Sequence, residues 1–464
     1  MGASVLSTVQ RGKAAAGSKM MAMFHLVLSA WLLAAPPGAA AQARSFLGEL
    51  AAGQYAKAEA ACDAQVRARA PAAALRQLWE SLERAHGAYR SLGATRVVAT
   101  VRGVTVTRTN ATFARASIGL QVAINGAGQV AGIFIVAASA AAGARRPAAE
   151  PLPDWKPPPY VRRAGFHEVK VTIGSAPWAL PGFLTIPNGP GPFPAVVLVA
   201  GSGPEDADET IGPNKPFKDL AWGLASRGIA VLRYAKRTYE YPRQCAALPD
   251  FTVTQEYVED AQAALALLAA RPEIARDRIF VLGHSEGGMV APRIAASRLA
   301  AGMISLAGSA QPLQRSVVMQ VKYLASLRPP RATAAMVREA EADAQAIESP
   351  ALRPGMSVSL LGAPLPAAYV LDLRGYDPAR AAAALDKPVL VLQGGKDYQV
   401  TRVDYGIWRR GLAGDKLAAF HFYPALSHLF MPVSGAPSPA DYAVAGHVAA
   451  SVVAQIAAWL RSRG

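Results

Sequence analysis

Cysteine is scarce in this chain: its 464 residues include two, Cys62 and Cys245. That excludes a disulfide-stapled scaffold, and neither cysteine has the neighbours of a zinc site or of a cysteine nucleophile. A bridge between them is permitted but not required; two buried thiols fit equally well. Charge is also sparse, at 17% of residues, and unbalanced, with 48 Lys and Arg against 32 Asp and Glu for a formal net charge of +16. Such an excess suits nucleic acid or an anionic surface only when it is concentrated. Here the basic residues are scattered. The densest pairs, Arg145-Arg146 and Arg162-Arg163, flank a proline-rich stretch, and no basic stripe is interleaved with aromatics. Nucleic acid is therefore not an expected partner. Arg greatly outnumbers Lys and Ala is abundant, as in proteins from GC-rich bacterial genomes. Hydrophobic residues make up 52%, which describes a folded chain long enough for two or three units.

Long apolar runs are missing as well, except at the start. Arg11, Lys13 and Lys19 precede the apolar segment Met21 to Ala35, and small residues then lead to Ala41-Gln42-Ala43, an A-x-A cleavage pattern. The run is shorter than the ~20 residues needed to cross a bilayer, and Pro36-Pro37-Gly38 breaks it. The expectation is a signal peptide over residues 1–43, starting at Met1, Met20, Met21 or Met23, and an exported bacterial protein, periplasmic or secreted. After cleavage no stable membrane insertion is expected.

Residues 44–141 read as a small α+β domain. An apolar helical face (Leu47, Leu50, Tyr55, Leu75, Leu78, Trp79, Leu82, Tyr89) is followed by strand-like segments at 96–101, 104–107, 111–122 and 130–135, with Asn125-Gly126 as a hairpin turn between the last two. His86 falls in the helical stretch and reads as an ordinary, partly exposed helix residue. Residues 142–164, with Pro157-Pro158-Pro159, read as a semi-rigid linker. From 165 to 464, strands are expected at 168–173, 180–186, 195–200, 229–234, 278–283, 303–307, 388–393 and 418–423, and helices at 217–226, 255–270, 289–299, 404–412 and 442–461. Continuous apolar runs such as Ala195-Val196-Val197-Leu198-Val199 suit parallel strands covered on both faces. Eight strands alternating with helices predict an α/β-hydrolase fold: a mostly parallel sheet, helices on both faces, and a helical cap inserted at about 311–384.

Within that frame Gly283-His284-Ser285-Glu286-Gly287 joins an apolar strand to a helix, the context in which G-x-S-x-G forms a nucleophile elbow. Ser285 is the candidate nucleophile; the alternative is a tight turn whose serine only caps a helix. A serine hydroxyl needs a base, and the base an orienting acid, in the chain order Ser, Asp, His. Asp397 follows the strand at 388–393 and is the candidate acid, with Asp404, Asp372 and Asp377 as competitors. His428 follows the last strand and is the candidate base; His421 reads as a strand residue, His447 as part of the last helix, and His284 as turned away from Ser285. The backbone N–H of Glu286 and that of Ser202, with Gly203 as alternate, are the candidate oxyanion donors, the second being on the Gly201-Ser202-Gly203-Pro204 loop.

The run Gly201 to Pro204 with Asp208-Glu209-Thr210-Ile211-Gly212-Pro213-Asn214-Lys215-Pro216-Phe217, then Val231-Leu232-Arg233-Tyr234, Lys236-Arg237-Thr238, Asp372-Leu373-Arg374-Gly375-Tyr376 and the triad motifs, resembles the bacterial EstD-like esterases from about residue 165 onward. The first domain is similar to the cone-shaped, NTF2-like domain of unknown function often found ahead of such hydrolases. The resemblance implies a carboxylesterase acting on a small-molecule ester through a Ser285–Asp397–His428 triad, without metal or organic cofactor. Two positions depart from the pattern. Ala200 stands where a histidine is usual, and Glu286 where an apolar residue is common, its carboxylate expected to be held by Arg233 or Lys236. Because glutamate there also occurs in prolyl-oligopeptidase-like enzymes, an exported amino- or oligopeptidase, or an amidase, is the alternative. A catalytically silent binding protein is the third class, opposed by the complete triad in its expected order. The first domain's role is open between dimerisation, giving a homodimer, and substrate gating.

Overall fold

The computed structural model describes residues 38–101, 104–137 and 155–463. These fall into two compact units on either side of about residue 152. The apolar run at 21–35 lies outside the described residues. The expected cleavage motif does not: Ala41-Gln42-Ala43 lies in the first helix, and Ala43 is fully buried.

The first unit consists of α1 (Ala39–Ala51), α2 (Tyr55–Ala60), α3 (Ala64–Arg69) and α4 (Ala72–His86), then β1 (Tyr89–Leu92), β2 (Arg96–Val101), β3 (Val104–Phe113), β4 (Ser117–Ile124) and β5 (Val130–Ala137). The strands form one antiparallel sheet in which β3 pairs with β1, β2 and β4, and β4 with β5. Phe46, Leu47 and Leu50 of α1 and Leu75, Trp79 and Leu82 of α4 pack on Phe113, Leu120, Val122 and Ile124. Two local readings change. Residues 89–92 are a strand rather than the end of a helix, because Gly87, with φ +84°, terminates α4. The β4–β5 connection is also longer than an Asn-Gly turn: Asn125 Oδ1 accepts from the N–H groups of Ala127 and Gln129, and Gly128 takes the positive φ.

The second unit follows the α/β order closely. Its elements are β6 (Phe166–Ile173), β7 (Leu180–Pro187), β8 (Phe193–Val199), α5 (Pro216–Ala225), β9 (Ala230–Tyr234), α6 (Arg237–Glu240), α7 (Pro242–Ala247), a π turn (Thr254–Val258) running into α8 (Glu259–Ala269), β10 (Ile274–His284), α9 (Glu286–Ala295) and β11 (Gly302–Leu306). The cap follows: α10 (Leu313–Ser326), α11 (Ala334–Glu348), β12 (Ser357–Leu360), β13 (Ala363–Pro366), α12 (Ala367–Leu373) and α13 (Pro378–Ala383). Then come β14 (Val389–Gly394), α14 (Arg402–Gly411), β15 (Ala418–Tyr423) and α15 (Ala450–Arg461). The eight strands are ordered β15-β14-β11-β10-β8-β9-β7-β6, parallel except where β7 pairs with β6 and β9.

The pleat explains the continuous apolar runs. Val197, Val199, Ile279 and Val281 face Ala261, Leu265, Val290 and Ile294 of α8 and α9. Val196, Leu198, Phe280 and Leu282 face Leu220 and Leu224 of α5 and Val453 and Ile456 of α15. Both faces are covered, so both sets must be apolar. Each such Val, Leu, Ile or Phe side chain contributes about 1.5–3 kcal/mol on burial.

Three expectations need correction. The linker ends earlier than residue 164. Trp155 Nε1 donates to Asp219 at 2.9 Å and Tyr160 Oη to the carbonyl of Val448 at 2.8 Å, so residues from Trp155 on are packed against the hydrolase unit. The cap is not wholly helical, since β12 and β13 form an antiparallel hairpin. The last helix begins at Ala450, which leaves His447 in the preceding loop with Nδ1 3.0 Å from Asp219.

Candidate active site

The tight passage from β10 to α9 is set by glycines. A Cβ on Gly283 would lie 2.1 Å from the carbonyl oxygen of Gly287, and one on Gly287 would lie 2.3 Å from that of Val199. The chain can therefore turn sharply over the sheet, and Ser285 sits at the turn with φ 55° and ψ −118°. Non-glycine residues rarely adopt such a conformation, which costs about 1–3 kcal/mol and is retained where the surroundings impose it. Backbone bonds impose it here: Ser285 N–H donates to the carbonyl of Leu306, and the Ser285 carbonyl accepts from Met289 and Ser309. The serine also lies where the N–H of Glu286, first in α9, has no intrahelical partner.

The acid and base come from the ends of β14 and β15. Asp397 Oδ1 accepts from the N–H groups of Gln399 and Val400 at 2.8 and 2.9 Å, and Oδ2 faces His428 Nδ1 at 2.7 Å. Two further backbone bonds join the two loops, Gly395 N–H to Tyr423 and Lys396 N–H to Leu426. Gly394 permits this close approach, because a Cβ there would lie 2.5 Å from the carbonyl oxygens of Leu426 and Ser427. Asp397 and His428 are both buried. Among the described residues no hydrogen bond takes up Ser285 Oγ or His428 Nε2.

The competing carboxylates all have structural partners. Asp404 forms a capping box with Thr401 at the start of α14 and accepts from the N–H groups of Ala310 and Gln311. Asp372 pairs with Arg293 at 2.9 Å, and Asp377 caps α13. His421 is an exposed residue of β15.

The Gly201 loop lies against the elbow: a Cβ on Gly201 would come within 3.1 Å of Ser285 Cβ. Its N–H donates to Glu209 Oε1 at 2.7 Å, whereas among the described residues nothing takes up the N–H of Ser202 or Gly203. Glu209 is buried and also receives His284 Nδ1 at 2.9 Å. His284 does turn away from Ser285, into this carboxylate and the carbonyl of His428, 3.0 Å from Nε2. Burial lowers the pKa of His284, but the charge and hydrogen bond of Glu209, together with the His428 carbonyl, leave it above the ordinary imidazole value.

Glu286 is held differently from expectation. Arg233 is occupied by Glu168 and Asp208. The Glu286 carboxylate instead lies between two phenols, with Oε1 2.9 Å from Tyr369 Oη on α12 and Oε2 3.0 Å from Tyr257 Oη on the π turn. Lys236 stands one step back, hydrogen-bonded to Tyr257 Oη and the Gly201 carbonyl and ion-paired with Glu256. Tyr369 Oη also meets Glu256 Oε2 at 2.8 Å. Burial, then the charge of Glu256, raises the pKa of Glu286. Sequence reasoning missed Glu209, Glu256, Tyr257 and Tyr369. Of these only Glu209 carried a signal, lying inside the segment that supports the family resemblance.

Residues 43–133 match a family described as a protein of unknown function (DUF3887), and residues 215–431 match one described as serine aminopeptidase, S33. Esterase EstD of Thermotoga maritima is 37% identical over 415 residues, covering 89% of this chain and 93% of that protein. The chain belongs to the EstD-like esterases. Among solved structures, Est1E from Butyrivibrio proteoclasticus is 15% identical with a TM-score of 0.41, covering 63% of this chain and 98% of its own. The esterase domain of a Rhodothermus marinus protein is 18% identical with a TM-score of 0.40, covering 64% and 100%. Likeness at that level carries no argument about the site. Within the EstD-like family, the elbow, the Gly201 loop and the Asp397 and His428 loops of this chain all fall in the region shared with the Thermotoga enzyme or in the matched hydrolase segment.

Proposed function

We propose that this protein is a carboxylesterase that cleaves small-molecule esters through an acyl-enzyme. Ser285 Oγ attacks the ester carbonyl while His428 Nε2 takes its proton. The negative charge that develops on the carbonyl oxygen is met by the N–H of Glu286 and that of Ser202, with Gly203 as alternate. His428 returns the proton to the leaving alkoxide, then activates water to release the acid. Asp397 fixes the imidazole with its proton on Nδ1 and stabilises the charged form. The observations that carry this reading are the strained Ser285 on its elbow and the Asp397–His428 pair closed at 2.7 Å.

An exported amino- or oligopeptidase, or an amidase, would use the same triad, and the serine aminopeptidase description of residues 215–431 keeps that reading in view. Such an enzyme anchors a peptide terminus, commonly on a free carboxylate. Glu286 offers none, since both its oxygens are buried against phenols. Ester hydrolysis is therefore the better-supported reading. The experiment is labelling with a fluorophosphonate and mapping of the adduct, followed by turnover of nitrophenyl esters of increasing acyl length beside aminoacyl amides. An adduct on Ser285 that is lost in Ser285→Ala, with esters far outpacing amides, is the expected result. An adduct elsewhere, or amide rates that rival ester rates, overturns the proposal.

Export to the periplasm or medium is proposed with it, resting on the basic-then-apolar segment before residue 36. Mass measurement of the mature chain's first residue tests this. A chain beginning near Arg44 supports export, and one retaining the apolar run in the cytoplasm refutes it.

A further inference from the structure

Tyr369 Oη has one hydrogen and two carboxylate neighbours, Glu286 Oε1 at 2.9 Å and Glu256 Oε2 at 2.8 Å. If both acids were ionised, one carboxylate oxygen would face the phenol oxygen with no hydrogen between them, inside a buried site where such repulsion is poorly screened. A single added proton removes the conflict. The remaining contacts show which acid holds it. Glu256 Oε1 is ion-paired with Lys236 Nζ and accepts from Thr238 Oγ1, both at 2.9 Å, so its charge is compensated. Glu286 meets only the phenols of Tyr257 and Tyr369. With the proton on Glu286 Oε1, that acid donates to Tyr369, Tyr369 donates to Glu256, and Glu256 stays ionised against Lys236. Lys236 donates to Tyr257 Oη and the Gly201 carbonyl while its charge stands against Glu256.

We propose that Glu286 is a protonated positioning residue in a Glu286–Tyr369–Glu256 chain that fastens α12 of the cap to the elbow, and that its ionisation sets the alkaline limit of activity. This rests on the reading above in which the Glu286 N–H is an oxyanion donor. The same residue that stabilises a developing negative charge through its backbone cannot carry a negative side chain without opposing it. Loss of the proton also turns the Tyr369 contact repulsive and loosens α12. The titratable and charged groups facing Glu286 are Glu256 and Tyr257 from the π turn, Lys236 after β9, and Tyr369 from the cap; burial and the charge of Glu256 favour the neutral acid and outweigh Lys236 and the two phenols, which favour the ionised one.

Infrared difference spectroscopy of the free enzyme across a pH titration tests the proposal alongside the pH profile of kcat/KM. The native enzyme should show a carboxylic-acid carbonyl band that is absent in Glu286→Gln and disappears over the same alkaline range in which kcat/KM falls. The amide of Glu286→Gln cannot ionise, so that fall, taken relative to the variant's own plateau, should be lost. No acid band in the native enzyme, or a band that survives in Glu286→Gln, overturns the protonation. A band of the expected behaviour with an alkaline fall unchanged in Glu286→Gln overturns the link to catalysis. If Glu286→Gln does not fold, Tyr369→Phe serves: removing the acceptor should move the acid band to higher frequency, and an unmoved band refutes the chain. Fluorophosphonate labelling of Ser285 in samples below the alkaline fall separates this outcome from failure of the esterase reading, since an adduct on Ser285 there shows a working triad whatever the behaviour of the acid band.

Discussion

His284 Nε2 lies 3.0 Å from the backbone carbonyl of His428, the residue that carries the candidate base, while its Nδ1 lies 2.9 Å from the carboxylate of Glu209. Both ring nitrogens face acceptors, so both carry hydrogens and the ring is an imidazolium paired with a buried carboxylate. Because Glu209 also accepts from the Gly201 N–H, one ion pair ties the proposed oxyanion loop to the base loop.

Stability should therefore depend on pH in a defined direction. The pKa of His284 is raised in the folded chain, so the pair contributes fully below the ordinary imidazole value of about 6.5, and the contribution is lost as pH rises through the folded value. His447, raised by its hydrogen bond to Asp219, adds a slope of the same sign. Thermal unfolding followed from pH 6 upward should show a falling Tm, and Glu209→Gln should remove the His284 share of that fall. A native Tm that rises over this window would refute the assignment.

Removing the members of the proposed triad should have unequal effects. Ser285→Ala and His428→Ala should each lower kcat by about 10⁶-fold, and Asp397→Asn by about 10⁴-fold, because the amide favours the wrong imidazole tautomer. Circular dichroism should show all three folded. Comparable kcat for native enzyme and Asp397→Asn would point to another acid.

Gly287→Ala tests the elbow sterically. The added methyl would lie 2.3 Å from the Val199 carbonyl oxygen and 2.5 Å from that of Ala200, backbone atoms that cannot yield cheaply. A loss of about 3 kcal/mol or more in urea unfolding is expected, at the top of the range for overpacking. An effect under about 0.5 kcal/mol would mean that the turn is looser than described.

The cysteines should behave as isolated thiols. Cys62 and Cys245 are free, buried and in different units, and burial pushes their pKa values up to about 11 and about 12. Ellman titration should find two thiols after unfolding and nearly none before, with Tm unchanged by reductant. A reductant-sensitive Tm would indicate a bridge.

How far the sequence disclosed this arrangement depended on how local each signal was. Strands β8, β10, β11 and β14 are buried on both faces and read directly as apolar runs, and the glycines at 283 and 287 mark the elbow because the turn admits nothing larger. Asp397 and His428 could be placed once the strands were counted. The Glu286 network could not, since its members come from 236, 256, 257, 286 and 369 and meet only through the tertiary fold. The β12–β13 hairpin was obscured for a different reason: Pro364 and Pro366 weaken its strand pattern. The sequence of the His447 loop, Tyr442 to Val448, is apolar enough to continue the α15 pattern backward, although Asp219 holds it out of the helix.

The π turn at Thr254–Val258 holds more residues per turn than the α8 helix it leads into. That wider turn lets two successive side chains, Glu256 and Tyr257, both reach the cluster under the elbow. Deleting one residue there would regularise the helix and swing one of the two away by about 100°. Enzymes that share this arrangement would then be recognised by an insertion rather than by a motif, as an extra residue in the helix two elements ahead of the nucleophile. In an alignment such a residue looks like a gap to be closed, yet it would be the trait inherited along with the proton site.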